Sequence, residues 1–231
     1  MVKFILEKVN GRLPIVLGIG SNNTNAVVDK IKNTDLSKID AILSVAPYYN
    51  KPTQEGLYQH FLAVAEASPV PVVLYNVPGR TSSNLLPETV LRLASHPNIM
   101  AIKEASGNLE QFMELMRGKT KDFLVISGDD AITQPFIAVG GSGVISVVGN
   151  AYPRLFADMV HATMDGELKK SRELHYKLLP IIPLLFQEGN PAGVKEVLKH
   201  MKICDNYVRL PLTTVSKDLK TKLLAEDAKL S

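Results

Sequence analysis

The sequence predicts an α/β fold made of repeated strand–helix units around a parallel sheet. Six short apolar runs recur between residues 14 and 149, and their starts are 19 to 30 residues apart, the span of one strand, one helix and short connections. The runs are apolar on both sides, as in strands that helices cover on both faces. The predicted strands are Pro14–Gly20, Ala41–Pro47, Pro71–Asn76, Ile99–Ala105, Leu124–Asp130 and Gly143–Gly149.

The segments between these runs, and the chain after them, have the signals of helices. Pro87 opens one helix at its first turn. Asn108 and Gln111 have the spacing of a capping box at the start of another. Pro180 and Pro183 are expected to break or kink the second of the C-terminal helices. The C-terminal helices are predicted at 153–165, 167–186, 191–201 and 216–229.

Composition excludes several classes of protein. The 231 residues are 45% hydrophobic and 21% charged, which is typical of a globular domain with a sizeable core. The net charge of +3 is dispersed, so we expect no nucleic-acid partner. One cysteine, Cys204, permits no internal disulfide, and the five histidines lack metal-ligand spacing. With no signal peptide or membrane span in the sequence, we expect a cytoplasmic protein without a metal.

Lys103 is the most informative residue, because it stands near the end of an apolar run. A lysine there must be paired, functional or exposed at the strand's end. Side chains alternate along a strand, so Glu104 is predicted to point away from Lys103 and not to neutralise it. A desolvated amine loses its proton more easily and then attacks carbonyls. These residues alone leave a structural and a catalytic lysine equally open.

Polar residues cluster at the ends of the predicted strands and just after them, where α/β folds bind their ligands. They include Tyr48 and Tyr49 after the second strand, Tyr75 at the end of the third and Arg80 after it, and Gly128 near the end of the fifth. Each residue also has a structural interpretation, because tyrosines cap cores, arginines lie on surfaces, and turns favour such residues. The cluster therefore indicates a site at this edge of the sheet without proving one.

Taken together, several motifs are more specific. The chain resembles the class I pyruvate-dependent lyases of the dihydrodipicolinate synthase and N-acetylneuraminate lyase superfamily, and it is closer to the dihydrodipicolinate synthases. The resemblance runs along essentially the whole chain. It lies in Pro47–Pro52, Tyr75–Thr81 and Ile102–Gly107, which carry most of the specificity, and in Gln54–His60, Ser127–Asp130, Gly143–Ser146 and Arg209–Pro211.

The resemblance implies a role for each candidate residue. Lys103 would form the Schiff base with pyruvate, Tyr75 would pass protons beside it, and Tyr49 would extend a proton relay into a neighbouring subunit. The substrate-binding residues would be Arg80, Thr81, Gly128 and Ile145, with Arg80 holding the aldehyde substrate's carboxylate. Asn22 and Tyr48 match an inhibitory lysine site. Ala26 stands where lysine-sensitive members have a glutamate, so we expect weak or absent lysine feedback.

By this resemblance the expected activity is the condensation of pyruvate with L-aspartate-4-semialdehyde in lysine and diaminopimelate biosynthesis. No cofactor is needed, because the imine at Lys103 is itself the electron sink. Two alternatives remain. One is a different pyruvate-dependent aldolase, acting on N-acetylneuraminate or on a keto-deoxy sugar acid. The other is a non-catalytic remnant that associates with a full-length paralogue. Members of the family are mostly homotetramers built from tight dimers. By the resemblance we therefore expect this chain to form at least a homodimer.

The resemblance also predicts an incomplete (β/α)8 TIM barrel, with six of eight βα units and a helical C-terminal extension. Residues 1–152 would hold the strands that correspond to the family's third to eighth. Residues 153–231 would hold the last barrel helix and the extension. About 60 residues, two units of the family fold, have no counterpart. They would include a Gly-Thr-Thr-Gly-Glu loop that binds the pyruvate carboxylate and links the tyrosines.

Overall fold

The computed structural model describes residues 1–230, which form two compact units. The first unit is Met1–Gly128, and the second begins at Asp129. A five-stranded parallel sheet, with its strands in chain order, lies in the first unit. The predicted α/β class with a parallel sheet is therefore confirmed. The two units are separated by where contacts along the chain are densest, which is a different criterion from the end of a barrel. The predicted end of the barrel at residue 152 stays a prediction.

Five of the predicted strands are present, and each is shorter than its apolar run. The runs extend beyond the strands because their ends, often proline or glycine, turn toward the adjoining loops. The strands are β1 Val16–Gly18, β2 Ala41–Val45, β3 Val72–Asn76, β4 Ile99–Glu104 and β5 Leu124–Ser127.

The predicted sixth strand, Gly143–Gly149, is wrong as a strand. Only Val144 has a bridge-type backbone there. Further along, the carboxylate of Asp130 accepts hydrogen bonds from the amides of Val147 and Val148, each at 3.0 Å. A side chain, rather than a neighbouring strand, thus bonds these amides, so the segment turns instead of extending.

Helices follow the strands of the first unit in the predicted alternation. Asn108 caps one of them, because its Oδ1 accepts hydrogen bonds from the amides of Glu110 and Gln111. The second half of the predicted capping box is wrong, since the Gln111 side chain bonds elsewhere. The helices are α1 Val2–Val9, α2 Thr24–Lys32, α3 Gln54–Ala67, α4 Pro78–Thr81, α5 Pro87–Leu93 and α6 Leu109–Gly118.

The second unit is helical, as predicted for the C-terminal part. The break expected at Pro180 is confirmed, and Pro183 lies in the first turn of the next helix, where its missing N–H costs little. Its α-helices are α7 Thr133–Ala138, α8 Pro153–Met164, α9 Leu168–Leu178, α10 Ile181–Phe186, α11 Ala192–His200 and α12 Lys217–Asp227, with 3-10 turns at Asp130–Ile132 and Val148–Asn150.

Each unit has its own apolar core. In the first, Ala41, Val73 and Ala101 pack together on one face of the sheet. In the second, an apolar cluster runs from Ile137 to Leu223. Because side chains alternate along a strand, Tyr75 and Lys103 lie on the same sheet face as Val73 and Ala101, two residues further along.

Candidate active site

Tyr75 and Lys103 lie opposite each other at the C-terminal ends of β3 and β4. The lysine Nζ is 4.5 Å from the centre of the tyrosine ring. Both side chains are half-buried. The parallel ladder therefore brings together the two residues that the sequence predicts as imine-forming amine and proton donor.

Gly128 leaves room for the stem of Lys103. A Cβ at this position would lie 2.8 Å from the Cε atom of Lys103 and 2.7 Å from the Cβ atom of Ala105. Both separations are shorter than a normal van der Waals contact, so a larger residue would displace the lysine or the strand. Gly128 was predicted to line the substrate pocket, and the structure places it against the amine-bearing side chain.

Burial raises the pKa of Tyr75 above its usual value, and the nearby positive charge of Arg80 only partly offsets this. The phenol is therefore protonated at neutral pH and can donate a proton. Arg80 itself is exposed and lies in α4, the short helix that follows β3. The guanidinium thus lies within electrostatic reach of the phenol while its surface remains open to an anionic ligand.

Thr81 and Tyr49 are joined through the backbone, since the amide of Tyr49 donates to the carbonyl of Thr81 at 3.2 Å. The Thr81 side chain is buried, and its hydroxyl lies 2.9 Å from the carbonyl of Ser83. The Thr81 hydroxyl therefore has a structural role in this turn. The role of Thr81 in substrate binding stays a prediction. Tyr49 has a positive φ of 76°, and the residue is 87% exposed, so its ring faces solvent.

Ile145 belongs to the second unit, in the irregular segment that replaces the sixth predicted strand. Asp130 holds this segment through the amides of Val147 and Val148. Burial raises the pKa of Asp130 despite these hydrogen bonds. The segment that carries Ile145 is therefore fixed within its own unit, while the contact of Ile145 with substrate stays a prediction.

The residues predicted for a lysine inhibitor follow β1 and β2, two neighbouring strands. Asn50 donates a hydrogen bond to the carbonyl of Asn22 at 3.0 Å, which links the two loops. Tyr48 is exposed. Ala26 lies in the first turn of α2, where its amide donates to Asn23, and its methyl group is exposed.

The chain matches proteins of known family along nearly its whole length. The family described as "Dihydrodipicolinate synthetase family" matches residues 1–228. A 4-hydroxy-tetrahydrodipicolinate synthase of Flavobacterium psychrophilum is 58% identical over 224 residues, which are 96% of this chain and 76% of that protein. The chain belongs to the dihydrodipicolinate synthetase family.

Solved structures agree with this membership. The dihydrodipicolinate synthase of Thermotoga maritima is 40% identical with a TM-score of 0.95, and the match covers 99% of this chain and 79% of that one. A chloride-inhibited synthase of Acinetobacter baumannii, solved in complex with pyruvate, is 37% identical with a TM-score of 0.95 and is covered to 78%. This chain thus aligns with about three-quarters of each dihydrodipicolinate synthase.

One feature of this family member is not evident from the sequence motifs. Asn76, Asn84, Glu104 and Gln111 form a hydrogen-bonded cluster, here called the Glu104 network, on the sheet face opposite Lys103. The orientation of Glu104 away from Lys103 was predicted and is confirmed. Its side-chain donors, Asn76 and Gln111, were missed, although a carboxylate inside an apolar run already indicates that buried donors surround it.

Two further observations apply to residues 1–230. Every helix there is too short or too polar to cross a membrane. Within the same residues, no group of three or more His, Cys, Asp or Glu side chains is arranged to hold a metal ion.

Proposed function

We propose that the chain condenses pyruvate with L-aspartate-4-semialdehyde to form 4-hydroxy-tetrahydrodipicolinate, a step in lysine and diaminopimelate biosynthesis. The observation that carries this proposal is the Tyr75–Lys103 pair. It places an amine beside a protonated phenol at the C-terminal ends of adjacent parallel strands, where TIM-barrel enzymes have their active sites. The relative at 58% identity, which is named 4-hydroxy-tetrahydrodipicolinate synthase, supports the same chemistry.

Lys103 acts as the nucleophile. Its neutral amine adds to the pyruvate carbonyl, and loss of one water molecule gives an iminium, which withdraws electrons from the methyl carbon. Deprotonation of that carbon gives an enamine, which attacks the aldehyde carbon of the second substrate. The substrate's own amino group then attacks the iminium carbon, and the lysine leaves as a free amine. The net reaction releases one water molecule and requires no redox cofactor.

Tyr75 and Arg80 support this sequence. Tyr75 passes protons to and from the carbinolamine and the new hydroxyl, a role that suits a phenol whose pKa burial keeps high. Arg80 binds the carboxylate of the aldehyde substrate through its planar fork of donors. Gly128 supports the role of Lys103 because it leaves space for the lysine stem. Thr81 and Ile145 are further candidates for substrate binding, because the resemblance implies this role for each of them.

We also propose that these residues form six of the eight βα units of the family's TIM barrel, with the C-terminal helices as an extension. The five-stranded parallel sheet and the coverage of 79% of the Thermotoga maritima chain support this. In this arrangement the strand of the sixth unit is reduced to the bridge residue Val144. The exposed ring of Tyr49 supports a homo-oligomer in which Tyr49 reaches a neighbouring subunit.

Borohydride trapping tests the proposed function. The chain is incubated with pyruvate and sodium borohydride, and intact mass and peptide mapping follow the reduced adduct. We expect one carboxyethyl group, on Lys103, and none in Lys103→Arg. Lys38→Arg, which removes an exposed lysine, is the matched control and should be labelled like the wild type. An unlabelled wild-type chain would refute the proposal and favour a non-catalytic role.

A chimera tests the barrel assignment and the substrate together. The first two βα units of the Flavobacterium psychrophilum relative are placed before Met1. We expect trapping at lower pyruvate concentration than with the chain alone, because the resemblance implies that those units would supply the loop for the pyruvate carboxylate. Turnover with L-aspartate-4-semialdehyde, and none with N-acetylmannosamine, would separate the synthase from a neuraminate lyase. The reverse preference would contradict the proposed substrate.

A further inference from the structure

Glu104 directly follows Lys103 in β4, and its carboxylate is buried on the other face of the sheet with only 3% of the residue exposed. No salt bridge within residues 1–230 includes it. A buried carboxylate without a cation is unfavourable unless hydrogen-bond donors replace its water. The donors around Glu104 therefore decide whether the residue can be tolerated.

Three N–H groups surround this carboxylate. Asn76 Nδ2 donates to Oε2 at 2.9 Å and Gln111 Nε2 to the same oxygen at 3.2 Å. The amide of Ser106 donates to Oε1 at 2.6 Å. Every contact uses Glu104 as an acceptor, and an amide in its place would turn an NH2 group toward at least one donor. The site therefore requires a carboxylate and not merely a polar side chain of this size.

The network spans the two strands that carry the proposed reaction. Asn76 is the register partner of Glu104, one residue beyond the Tyr75–Lys103 pair. The side-chain bond between Asn76 and Glu104 thus joins the ends of β3 and β4 on one face, and the reacting pair lies on the other. A slip or spread of the two strands that separated Tyr75 from Lys103 would have to break this bond.

The remaining members fix the network to its surroundings. Asn84, in the loop between α4 and α5, accepts from Asn76 at 2.8 Å and donates to Gln111 at 2.9 Å. The amide of Leu85 donates to Asn76 Oδ1 at 3.0 Å. The loop that follows Arg80 and helix α6 are therefore bound to the same strand ends. Local movement of either element is resisted by the Glu104 carboxylate.

We propose that Glu104 is a positioning residue for the imine-forming lysine. Through the Glu104 network it holds the ends of β3 and β4 in the register that keeps Lys103 against Tyr75. Glu104 touches no reacting atom, and it acts through the backbone of β4 and through Asn76. This inference rests on the proposed function, because its consequence is measured at the imine.

The test compares the trapping rate of full-chain variants at saturating pyruvate. Glu104→Gln keeps the side-chain size and turns one acceptor into a donor. A misplacement of about 1 Å can cost roughly a hundredfold in rate. We therefore expect trapping by Glu104→Gln to slow by about tenfold or more. The factor should be the same at every pH from 6 to 9. A shift of the pH midpoint with an unchanged maximum rate would overturn positioning in favour of a direct charge effect on Lys103.

A second variant checks that the loss comes from the hydrogen-bond pattern. Asn76→Asp combined with Glu104→Gln moves the carboxylate to the other strand and restores a donor–acceptor pair between β3 and β4. Rotating the amides of Asn84 and Gln111 then satisfies most of the network. We expect the double variant to trap faster than Glu104→Gln alone. A double variant that is slower than the single one would contradict the assigned pattern.

Leu115→Ala separates positioning from stability. Leu115 is fully buried on α6, the helix of Gln111, but is not in the network. We expect Leu115→Ala to lower the melting temperature at least as far as Glu104→Gln does. Its trapping rate should stay within about twofold of the wild-type rate, because a cavity in the core acts mainly on stability. If Glu104→Gln traps at the wild-type rate, this inference fails alone. If the wild type is not trapped, the proposed function itself fails.

Discussion

Lys103 and Tyr75 are register partners in adjacent parallel strands, and the lysine Nζ lies 4.5 Å from the centre of the phenol ring. This relationship follows from strand pairing rather than from a flexible loop. Residues on ordered strands are held more precisely than residues on loops. The geometry of the proposed imine chemistry therefore depends on the register of β3 and β4, which any substitution at their ends can alter.

Removing the Tyr75 hydroxyl should impair proton transfer and leave the fold intact. Tyr75→Phe keeps the ring, so we expect the free energy of unfolding to change by about 0.5 kcal/mol or less. General acid–base catalysis contributes roughly 10²- to 10⁴-fold to a rate, so we expect turnover to decrease by a factor in that range. Steady-state kinetics and urea unfolding check both expectations. Tyr58→Phe, on α3, is the control, and a loss of turnover no greater than in that control would exclude Tyr75 as the proton donor.

Substitution of Gly128 should displace the lysine. In Gly128→Ala the new methyl group would overlap the Cβ atom of Ala105 at 2.7 Å and the stem of Lys103 at 2.8 Å. Overpacking of this kind typically costs about 1–3 kcal/mol of unfolding free energy. We expect that loss in urea unfolding together with slower borohydride trapping. Gly18→Ala, on β1 with no atom within 4 Å of the new Cβ, is the control. Trapping equal in the two variants would contradict the close packing against Lys103.

Five of the strands and the position of Lys103 near a strand end could be predicted because they depend on local apolar runs, while the catalytic role of Lys103 stays a prediction. What failed depends on partners distant in sequence. Gln111 has the spacing of a capping-box residue, yet its side-chain oxygen accepts a hydrogen bond from Asn84, which is 27 residues away in the chain. The run at Gly143–Gly149 is apolar enough for a strand, yet the carboxylate of Asp130 binds its amides. Neither partner is visible in a window of local sequence.

Lysine should inhibit this protein weakly. Ala26 presents only a methyl group in the first turn of α2, near the loop that contains Asn22, so the inhibitor's ammonium group would have no carboxylate there to pair with. We expect turnover to persist at millimolar lysine and Ala26→Glu to increase sensitivity. An inhibition titration of both proteins measures this, with Ala26→Gln as the uncharged control. Strong inhibition of the wild type at millimolar lysine would refute the prediction.

His60 should make the first unit less stable in mild acid. It is buried on α3, its Nδ1 lies 2.9 Å from the hydroxyl of Thr24, and its Nε2 has no hydrogen-bond partner within residues 1–230. Burial lowers the pKa of His60 from 6.5 to about 4. Between these values the unfolded chain binds a proton that the folded chain does not, so stability is present near neutral pH and is lost as the pH falls.

A shift of this size corresponds to about 3 kcal/mol across the window, as an order of magnitude. We expect the free energy of unfolding in urea to decrease from pH 7 toward pH 4.5, and His60→Leu to flatten that decrease because the variant has no imidazole to protonate in the unfolded state. His161→Gln removes an exposed histidine from α8 and should leave the pH dependence unchanged. If His60→Leu and the wild type lose stability in parallel, acid acts through other groups, and the neutral buried imidazole is not the cause.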